Sequence, residues 1–419
     1  MEVWPESEHD PAPPSDSALE FLAGFARVGH EAGYPTADLE ERIEALADAL
    51  GMGSAQVSAT PTVIEISIGS LIRQRSFTIR VNPTSVDLGA ISQLDDLVQD
   101  VLDERLDVDE ANTRLADVDA HPLKRPWLVE LAAYALAGAA VAPVLGGGRR
   151  DIAAAAVVGC IVGVIGVSSR RTSRAEPMIA PLAAVAASFS AAALGRLGLH
   201  ISADVVALAA LVTFLPGMAL TIGVRELATQ HLQSGVANIA NALVQLFGLV
   251  FGVAIGRSVA ASWFGVSSQP VPHSTFSWTY VHAAVAAGLA FTVTLRAESR
   301  AAAVMCSATV LAVLAYAVGK ELLGAPAGVF LAALAIGVYG GLIGALLRRS
   351  PLIFIVPGVL MLVPGSAGFR SVLQLLTGET VSGINAGFNT FVTAMSIAYG
   401  LMIATVILPR RFTELRPKS

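Results

Sequence analysis

Hydrophobic residues are distributed very unevenly along this chain. Up to about residue 120, apolar positions recur at short intervals among charged ones, as in the amphipathic helices and strands of a water-soluble domain. From Trp127 onward, long apolar runs follow one another, and about 20 apolar residues suffice for a helix to cross a bilayer. The pattern predicts a polytopic α-helical membrane protein preceded by a small cytoplasmic α+β domain.

The predicted α+β domain covers residues 17–120. Ser17 and Glu20 have the spacing of a capping box ahead of a first helix, and a second helix is predicted from Thr36. Two runs rich in β-branched residues follow, AQVSATPTVIEISIG and SFTIRVNP, and they predict strands. The acidic stretch 91–119 again has a helical pattern.

The membrane part predicts about ten spans that form two sets of five. Each span of the second set begins 148 to 151 residues after its counterpart in the first set. Because five is odd, the second set is expected to cross the membrane in the opposite direction, as an inverted repeat. The predicted spans are residues 127–145, 151–168, 177–197, 204–224, 234–256, 278–295, 300–319, 326–347, 352–369 and 382–408.

These spans divide the rest of the chain. Residues 127–256 form the first membrane half and 278–409 the second, joined by a linker at 257–277. A basic tail at 410–419 ends the chain. Residues 1–16 are acidic and rich in proline, without the features of a signal peptide, and we expect a disordered tail.

A gapless sequence repeat supports the division into halves. Residues 216–256 align with 364–404 at an offset of 148, and each copy begins with a Pro-Gly pair. The matched identities include Pro216 with Pro364, Gly217 with Gly365, Ala219 with Ala367, Gly235 with Gly383, Asn241 with Asn389 and Gly252 with Gly400. A repeat that carries a helix break inside a membrane span is typical of a secondary transporter.

Composition and charge agree with this division. The chain is 54% hydrophobic and 14% charged, against about 25% charged in soluble domains. Residues 1–126 carry 24 acids and 9 bases, whereas the remainder carries 9 acids and 18 bases. The acidic N-terminal part argues against nucleic acid as a partner. Of the Lys and Arg residues from Lys124 onward, fourteen fall on one predicted side and six on the other, which predicts cytoplasmic N- and C-termini.

The sequence contains no motif for a cofactor, a metal or an enzymatic reaction. Cys160 and Cys306 lie within apolar runs and are interpreted as small buried hydrophobic residues. The three consecutive glycines at 146–148 lack the strand and helix of a phosphate-binding loop. We therefore expect no enzyme, and we expect the bilayer, a small solute and protons as partners. A homo-oligomer stays open.

The two Pro-Gly pairs are the strongest candidates for a binding site. Pro216 and Gly217 lie about twelve residues into the fourth span, and Pro364 and Gly365 at the same position of the ninth span. Proline removes a backbone donor and glycine loosens the helix, so each pair can expose backbone groups to a substrate. A simple kink is the alternative, since both residues are common in membrane helices.

Charged and polar residues near the breaks supply further candidates. Arg225 and Arg370 are candidates for binding a substrate carboxylate, and Thr221 can add a hydroxyl or bond its own helix. Glu226 and Asp204 are candidates for proton coupling, unless they are solvated at span ends. Two further residues, Asn241 and Asn389, are either pore-lining or join helices.

Several blocks resemble the threonine/serine exporter family. They are VGHEAGYPTADLEERIEALADALGMGSAQVSATPTVIEIS, then FLPGMALTIGVREL with QSGVANIANAL, and then IVPGVLMLVPGSAGFRSVLQLLTGE with GINAGFN. The resemblance covers nearly the whole chain after about residue 17 and points to the fused form of the family. It implies export of threonine and serine across the bacterial inner membrane, driven by the proton motive force.

Two alternatives remain at this stage. Similar proteins are thought to move small dicarboxylates, so the same scaffold could export a dicarboxylate. The second alternative belongs to a functional class other than transport: a membrane-anchored regulatory protein that acts through its cytoplasmic domain.

Overall fold

The structure is a computed structural model that describes residues 15–69, 74–81, 86–169, 176–264, 279–347, 349–362 and 364–408. It divides into two compact units, one that ends at Leu123 and one that begins at Lys124. Almost all of the predicted N-terminal tail, much of the linker and the basic tail lie outside the described residues. So do Arg170, Arg171, Arg174 and Arg348, four of the arginines used to predict the orientation.

The first unit packs four helices with a three-stranded sheet. The antiparallel strands lie in the order β1-β2-β3, and Ile64, Ile66 and Ile68 of β2 point into the core. The elements are α1 (Asp16–Ala32), α2 (Thr36–Ala49), β1 (Ala55–Thr60), β2 (Val63–Ile68), β3 (Arg75–Arg80), α3 (Leu88–Leu102) and α4 (Val108–Ala120).

Two local predictions for this unit are wrong. The side chain of Ser15, not that of Ser17, caps α1 by accepting from the Ala18 amide, while Ser17 donates to Asp109. The first predicted strand run is two strands, because the chain turns at Pro61 and Thr62. Proline cannot donate to a sheet ladder, so it lies in the turn.

A buried polar cluster joins the helices of this unit. The Arg42 guanidinium donates to the Asp95 carboxylate at 2.8 Å and lies 4.7 Å from the centre of the Tyr34 ring. Tyr34 in turn donates to Asp95 at 2.7 Å. Burial, together with the charge of Asp95, holds the pKa of Tyr34 well above its ordinary value, so the hydroxyl stays a donor.

The second unit is entirely helical where the structure describes it. Helices suit a lipid environment because they satisfy their backbone hydrogen bonds internally. The helices are α5 (Trp127–Val144), α6 (Arg149–Ser169), α7 (Glu176–Leu194), α8 (Ala203–Ala210), α9 (Gly217–Ala228), α10 (Leu232–Phe264), α11 (Thr279–Thr294), α12 (Ala302–Leu323), α13 (Ala325–Leu347), α14 (Leu352–Leu362), α15 (Pro364–Leu376) and α16 (Thr380–Ile407).

Length and composition assign eight of the described helical segments as candidate membrane spans, or nine with the bent segment made of α8 and α9. The segment formed by α14 and α15 is one of the eight, and α11 is a shorter apolar helix of 16 residues. The chain is thus a polytopic helical protein, while the predicted count of ten spans stays a prediction.

The sequence repeat has a counterpart in local structure. The turn after α9 and the turn after α15 use the same hydrogen bonds: His231 N–H donates to Glu226 C=O, and Glu379 N–H donates to Gln374 C=O, both at 2.9 Å. Gln230 (φ 68°) and Gly378 (φ 86°) both have left-handed backbone there. These positions are related by the offset of 148.

Close contacts between helices also recur at equivalent positions. A β-carbon on Gly235 would lie 2.8 Å from Leu227 Cγ, and one on Gly383 would lie 2.7 Å from Leu375 Cγ. Helix α10 therefore packs on α9 in the same way as α16 packs on α15. In both halves a glycine, Gly252 or Gly400, lets the long helix approach a neighbour closely.

Contacts between the halves are reciprocal. Helix α9 packs on α16 while its counterpart α15 packs on α10, and the equivalent pairs α5 with α11 and α9 with α15 are also in contact. Reciprocal contacts of this kind are those made around a two-fold axis. The largest apolar core of the unit is continuous across the halves, since it includes Ala290, Phe369 and Val372 beside residues of α5 to α10.

Candidate functional site

The first Pro-Gly pair ends one helix and begins another. After α8, a single turn of 3₁₀ helix at Val212–Phe214 leads to Pro216, whose backbone is not helical (φ −79°, ψ 45°). Helix α9 begins at Gly217. The segments Ala203–Ala210 and Val212–Ala228 are bent by 51° relative to each other, at a break that precedes the Pro-Gly pair by about one turn. The amides of Met218 and Ala219 are in the first turn of α9 and have no acceptor within the helix.

The second Pro-Gly pair contacts the first. Helix α15 is described from Pro364, directly after Val363, which lies outside the described residues, and α14 and α15 together form one apolar segment, Leu352–Leu376. A β-carbon on Gly365 would lie 3.1 Å from the Gly217 nitrogen and 3.0 Å from Leu215 Cβ, so this close approach favours a glycine. Gly365 of α15 therefore lies directly against the start of α9.

The helix N-terminus at Gly217 favours an anion. A helix N-terminus carries partial positive charge and presents backbone N–H groups. The contact surface around it is apolar, since Gly368 lies against Leu246 and Thr390 Cγ2. Thr221, predicted as a possible ligand, is buried and donates to the Gly217 carbonyl at 3.0 Å, so its hydroxyl bonds its own helix. The backbone at this helix start is thus the main source of donors.

Beyond the break, α9 carries a buried acid. Glu226 is 3% exposed, and Asn238 of α10 donates to its carboxylate at 2.7 Å. Arg225 precedes it in the last turn of α9 and is partly buried. Spacing alone could not find the bond between Glu226 and Asn238, because it joins two helices across a turn.

The second predicted acid has a different environment. Asp204 begins α8, is largely exposed, and pairs with Arg257 at 3.2 Å. Its charge also acts on Arg370 of α15. The structure thus brings Asp204, Arg257 and Arg370, from three different helices, to one place in the unit.

Asn241 and Asn389 lie at equivalent positions of α10 and α16, and both are exposed in the single chain. Neither is brought to the contact between Gly217 and Gly365 by any described hydrogen bond. Asn238, one turn from Asn241 on α10, does contact a candidate residue, because it donates to Glu226.

A second charged cluster lies among residues predicted on the cytoplasmic side. Glu298, between α11 and α12, pairs with Arg300 and with Arg349 at 3.2 Å. Arg125, just before α5, donates to the Ala297 carbonyl. The hydrogen bond from Arg300, together with the charge of Arg349, holds the pKa of Glu298 below its ordinary value. This cluster ties the start of α5 to two later loops.

Sequence reasoning missed Asp151. Its buried carboxylate accepts from the Gly148 amide at 2.8 Å and from the Ser202 amide at 2.7 Å, and so joins the start of α6 to the start of α8. The glycines at 146–148 allow this arrangement, since a β-carbon on Gly147 would lie 2.9 Å from the Ala142 carbonyl oxygen. An acid at the N-terminal turn of a helix was the available signal.

The described parts of both units contain no group of three or more His, Cys, Asp or Glu residues that could hold a metal ion. In the first unit, a surface groove of about 350 Å³ between α1 and α4 is lined by both signs of charge, including Glu20, Arg27 and Asp119. Arg27 is paired there with Asp119 at 2.7 Å.

Comparison with known families gives two matches that cover most of the chain. A family profile for threonine/serine exporters matches residues 20–260, and a second profile, described as "Threonine/Serine exporter, ThrE", matches residues 276–407. The first profile alone covers more than half of the chain and includes the N-terminal unit.

Individual relatives are distant but extensive. A "Threonine/serine exporter" of Corynebacterium glutamicum is 22% identical over 92% of this chain and 82% of its own length. A "Probable threonine/serine exporter" of Mycobacterium tuberculosis is 25% identical over 92% of this chain and 75% of its own length. An uncharacterized protein of Schizosaccharomyces pombe is 24% identical over 90% of this chain, which spans about half (52%) of the yeast protein. No solved structure matches.

Proposed function

Because this chain belongs to the threonine/serine exporter family, we propose that it exports threonine and serine from the cytoplasm in exchange for protons. Members of this family are membrane transporters. The observation that supports a specific mechanism is the close approach of Gly365 on α15 to the start of α9.

The substrate carboxylate binds at this contact. The first-turn amides of Met218 and Ala219 are donors at the positive end of the α9 helix dipole. Backbone groups at Pro216, Gly217, Pro364 and Gly365 form the rest of the site. Discontinuous helices serve secondary transporters in the same way.

Arg225 and Arg370 each lie at one of the two entrances to the substrate site. They are on α9 and α15, beyond the Pro-Gly pairs where the carboxylate binds. A guanidinium can hold a carboxylate through two parallel hydrogen bonds, so each arginine can pass the substrate to or from the site. Asn241 and Asn389 line the path beside them.

Alternating access follows from two halves that cross the membrane in opposite directions. The reciprocal contacts of α9 with α16 and of α15 with α10 support a two-fold relation between the halves. Rocking of one half against the other then exposes the site to each side in turn. We propose a bacterial inner-membrane location with both termini in the cytoplasm.

Proton coupling requires an acid that changes its environment during this motion. Glu226 is the better candidate, because it is buried and bonded to a second helix. Asp204 is exposed and paired with Arg257, which is typical of a solvated ion pair at a helix end.

Counterflow in proteoliposomes tests the proposed function. Liposomes loaded with unlabelled threonine should accumulate labelled threonine transiently, and labelled serine should behave in the same way. Labelled succinate should not accumulate. Absence of any threonine or serine overshoot, with correctly inserted protein, contradicts an amino-acid exporter.

A dicarboxylate is the second candidate, and one observation favours it. Arg225 and Arg370 are two cationic side chains on the two helices that meet there, and each can hold one carboxylate. Succinate overshoot with no effect of threonine as competitor would establish this reading. A regulatory role of the N-terminal unit is tested by deleting residues 1–120: persistence of flux shows that the membrane unit suffices.

A further inference from the structure

The repeat allows each side chain in one hairpin to be compared with its counterpart in the other. We call residues 216–256 the first copy and residues 364–404 the second copy. Glu226 of the first copy corresponds to Gln374 of the second. The backbone around them is the same, because both carbonyls accept from the residue five positions later at 2.9 Å. Thr229 and Thr377 also donate to these carbonyls, at 3.2 Å and 3.1 Å.

The side chains differ in their chemistry and in their partners. The Glu226 carboxylate accepts from Asn238 at 2.7 Å. The position that corresponds to Asn238 in the second copy is Ala386, which has no amide to donate. The Gln374 carbonyl oxygen is buried and has no hydrogen-bond partner among the described residues. The first copy thus has an acid and a side chain that donates a hydrogen bond to it, and the second copy has neither.

A carboxamide has the shape of a protonated carboxyl group but cannot release a proton. Gln374 therefore keeps the second copy permanently in the neutral form. Glu226 can exchange a proton. Acids buried inside a membrane unit are rare because burial of their charge is costly, and they usually mark an ion or proton pathway. The difference between the copies lies in ionisation and not in shape.

Other ionisable groups near Glu226 must be considered as the source of any pH response. Its own hairpin contributes Arg225 and His231, and the Nδ1 atom of His231 lies 3.1 Å from the Thr229 hydroxyl. Helices α10, α14, α15 and α16 pack against α9. Their charged or titratable residues are Arg257 on α10, Arg370 on α15 and Tyr399 on α16, with Glu379 directly before α16 and none in the sequence of α14.

We propose that Glu226, held by Asn238, carries the proton exchanged for substrate, and that Gln374 is its permanently neutral counterpart. Glu226 takes up a proton when the site is open to the outside and releases it to the cytoplasm when the site is open inward. This inference rests on the proposed function, since it assigns the coupling group of that transporter.

The test uses the full chain with Cys160 and Cys306 replaced by alanine. A cysteine at Ala228, a partly buried position at the end of α9, reports opening of the hairpin through its alkylation rate, without any substrate. Rates are measured against pH and divided by those of an exposed reference cysteine to remove the titration of the thiol itself. We expect a pH-dependent ratio that becomes flat in Glu226→Gln and persists in His231→Asn and Gln374→Met. A ratio that stays pH-dependent in Glu226→Gln, or that becomes flat in His231→Asn, overturns the inference.

Transport gives an independent second readout. In Glu226→Gln, threonine counterflow should stay within about twofold of the parent, while accumulation driven by a pH gradient falls at least about tenfold. Gln374→Met should retain both activities. Equal loss of both activities in Glu226→Gln would show a role other than coupling. If the parent protein lacks counterflow for threonine, serine and succinate, the proposed function fails, and the alkylation profile still decides the ionisation of Glu226.

Discussion

The two hairpins of the repeat share a backbone but not a set of ionisable side chains. The turns at Gln230 and Gly378 and the glycine contacts at Gly235 and Gly383 are the same. The first copy has Glu226 bonded to Asn238, whereas the second has Gln374 beside Ala386. Small residues and left-handed turns thus fix the shape of both copies, while chemistry is free to diverge between them. Substitutions can therefore either disrupt a backbone contact that the two copies share or test a side chain in which they differ.

The largest effect is expected from Gly365→Leu, which attacks the contact shared by both copies. A β-carbon at this position would lie 3.1 Å from the Gly217 nitrogen. The larger side chain of leucine must therefore push α15 away from the start of α9. We expect transport to fall about 100-fold, the cost of displacing a site by about 1 Å. The measurement is the initial rate of threonine counterflow.

Gly195→Ala is the matched control for this substitution. The nearest atom to a β-carbon at Gly195 is 3.9 Å away, which is ordinary contact. The control should therefore transport at the parental rate. Near-normal transport by Gly365→Leu would show that the contact between the two Pro-Gly pairs is not needed.

Arg225 and Arg370 test whether the two entrances are equivalent. They are not at matched positions: Arg225 corresponds to Leu373, and Arg370 corresponds to Ile222. Loss of a hydrogen bond to a charged group costs about 1.5–3 kcal/mol, so Arg225→Ala and Arg370→Ala should each weaken transport by roughly 10- to 150-fold.

Sidedness separates the two arginines. In oriented vesicles, Arg225→Ala should raise the substrate concentration for half-maximal flux from the cytoplasmic face, and Arg370→Ala should raise it from the opposite face. Parental kinetics in both variants, at equal protein levels, would remove the arginines from the mechanism.

A pair of small residues differs between the halves in a way that suggests compensation. A β-carbon on Gly256 would lie 2.1 Å from the Ser188 hydroxyl oxygen and 2.4 Å from the Val185 carbonyl oxygen, while in the second half Ala404 packs against Gly337. Gly256→Ala should therefore overpack the contact between α7 and α10 and lower stability by about 1–3 kcal/mol. Gly256→Ala with Ser188→Gly removes the clash with the hydroxyl but not the clash with the carbonyl, so it should recover only part of this loss.

Thermal unfolding in detergent measures this compensation. The double variant should unfold below the parent and above Gly256→Ala alone. Additive destabilisation by the two substitutions would mean that the contacts in the two halves are not interchangeable.

The smallest effect concerns the charged cluster at Glu298. Its folded-state pKa is lowered by Arg300 and Arg349, so its stabilising contribution is present above the unfolded-state pKa and is lost as the pH falls through the folded-state pKa. The contribution is about 1 kcal/mol or less, because the group is near the surface. Glu298→Gln should reduce the acid-induced fall in melting temperature, and an unchanged fall would assign it to other carboxylates.

The sequence predicts the larger features of this molecule because they depend on long patterns. Apolar run length locates the membrane helices, and the offset of 148 identifies two Pro-Gly pairs that lie against each other in the structure. Contacts between distant residues leave no such pattern. The bonds from Asn238 to Glu226 and from Ser202 to Asp151 join different helices, and no spacing rule identifies them. The strand count was wrong because one apolar run concealed the turn at Pro61.

Substrate protection beside the two Pro-Gly pairs tests the central claim most directly. Ala219 of α9 and Ala367 of α15 are equivalent, half-buried positions, each two residues after the glycine of its pair. Each is replaced by cysteine in protein without Cys160 and Cys306, and alkylation is followed with and without saturating threonine. The account predicts that threonine slows alkylation at both positions. Unchanged rates at both positions, in variants that still perform threonine counterflow, would contradict a substrate site formed where the two Pro-Gly pairs meet.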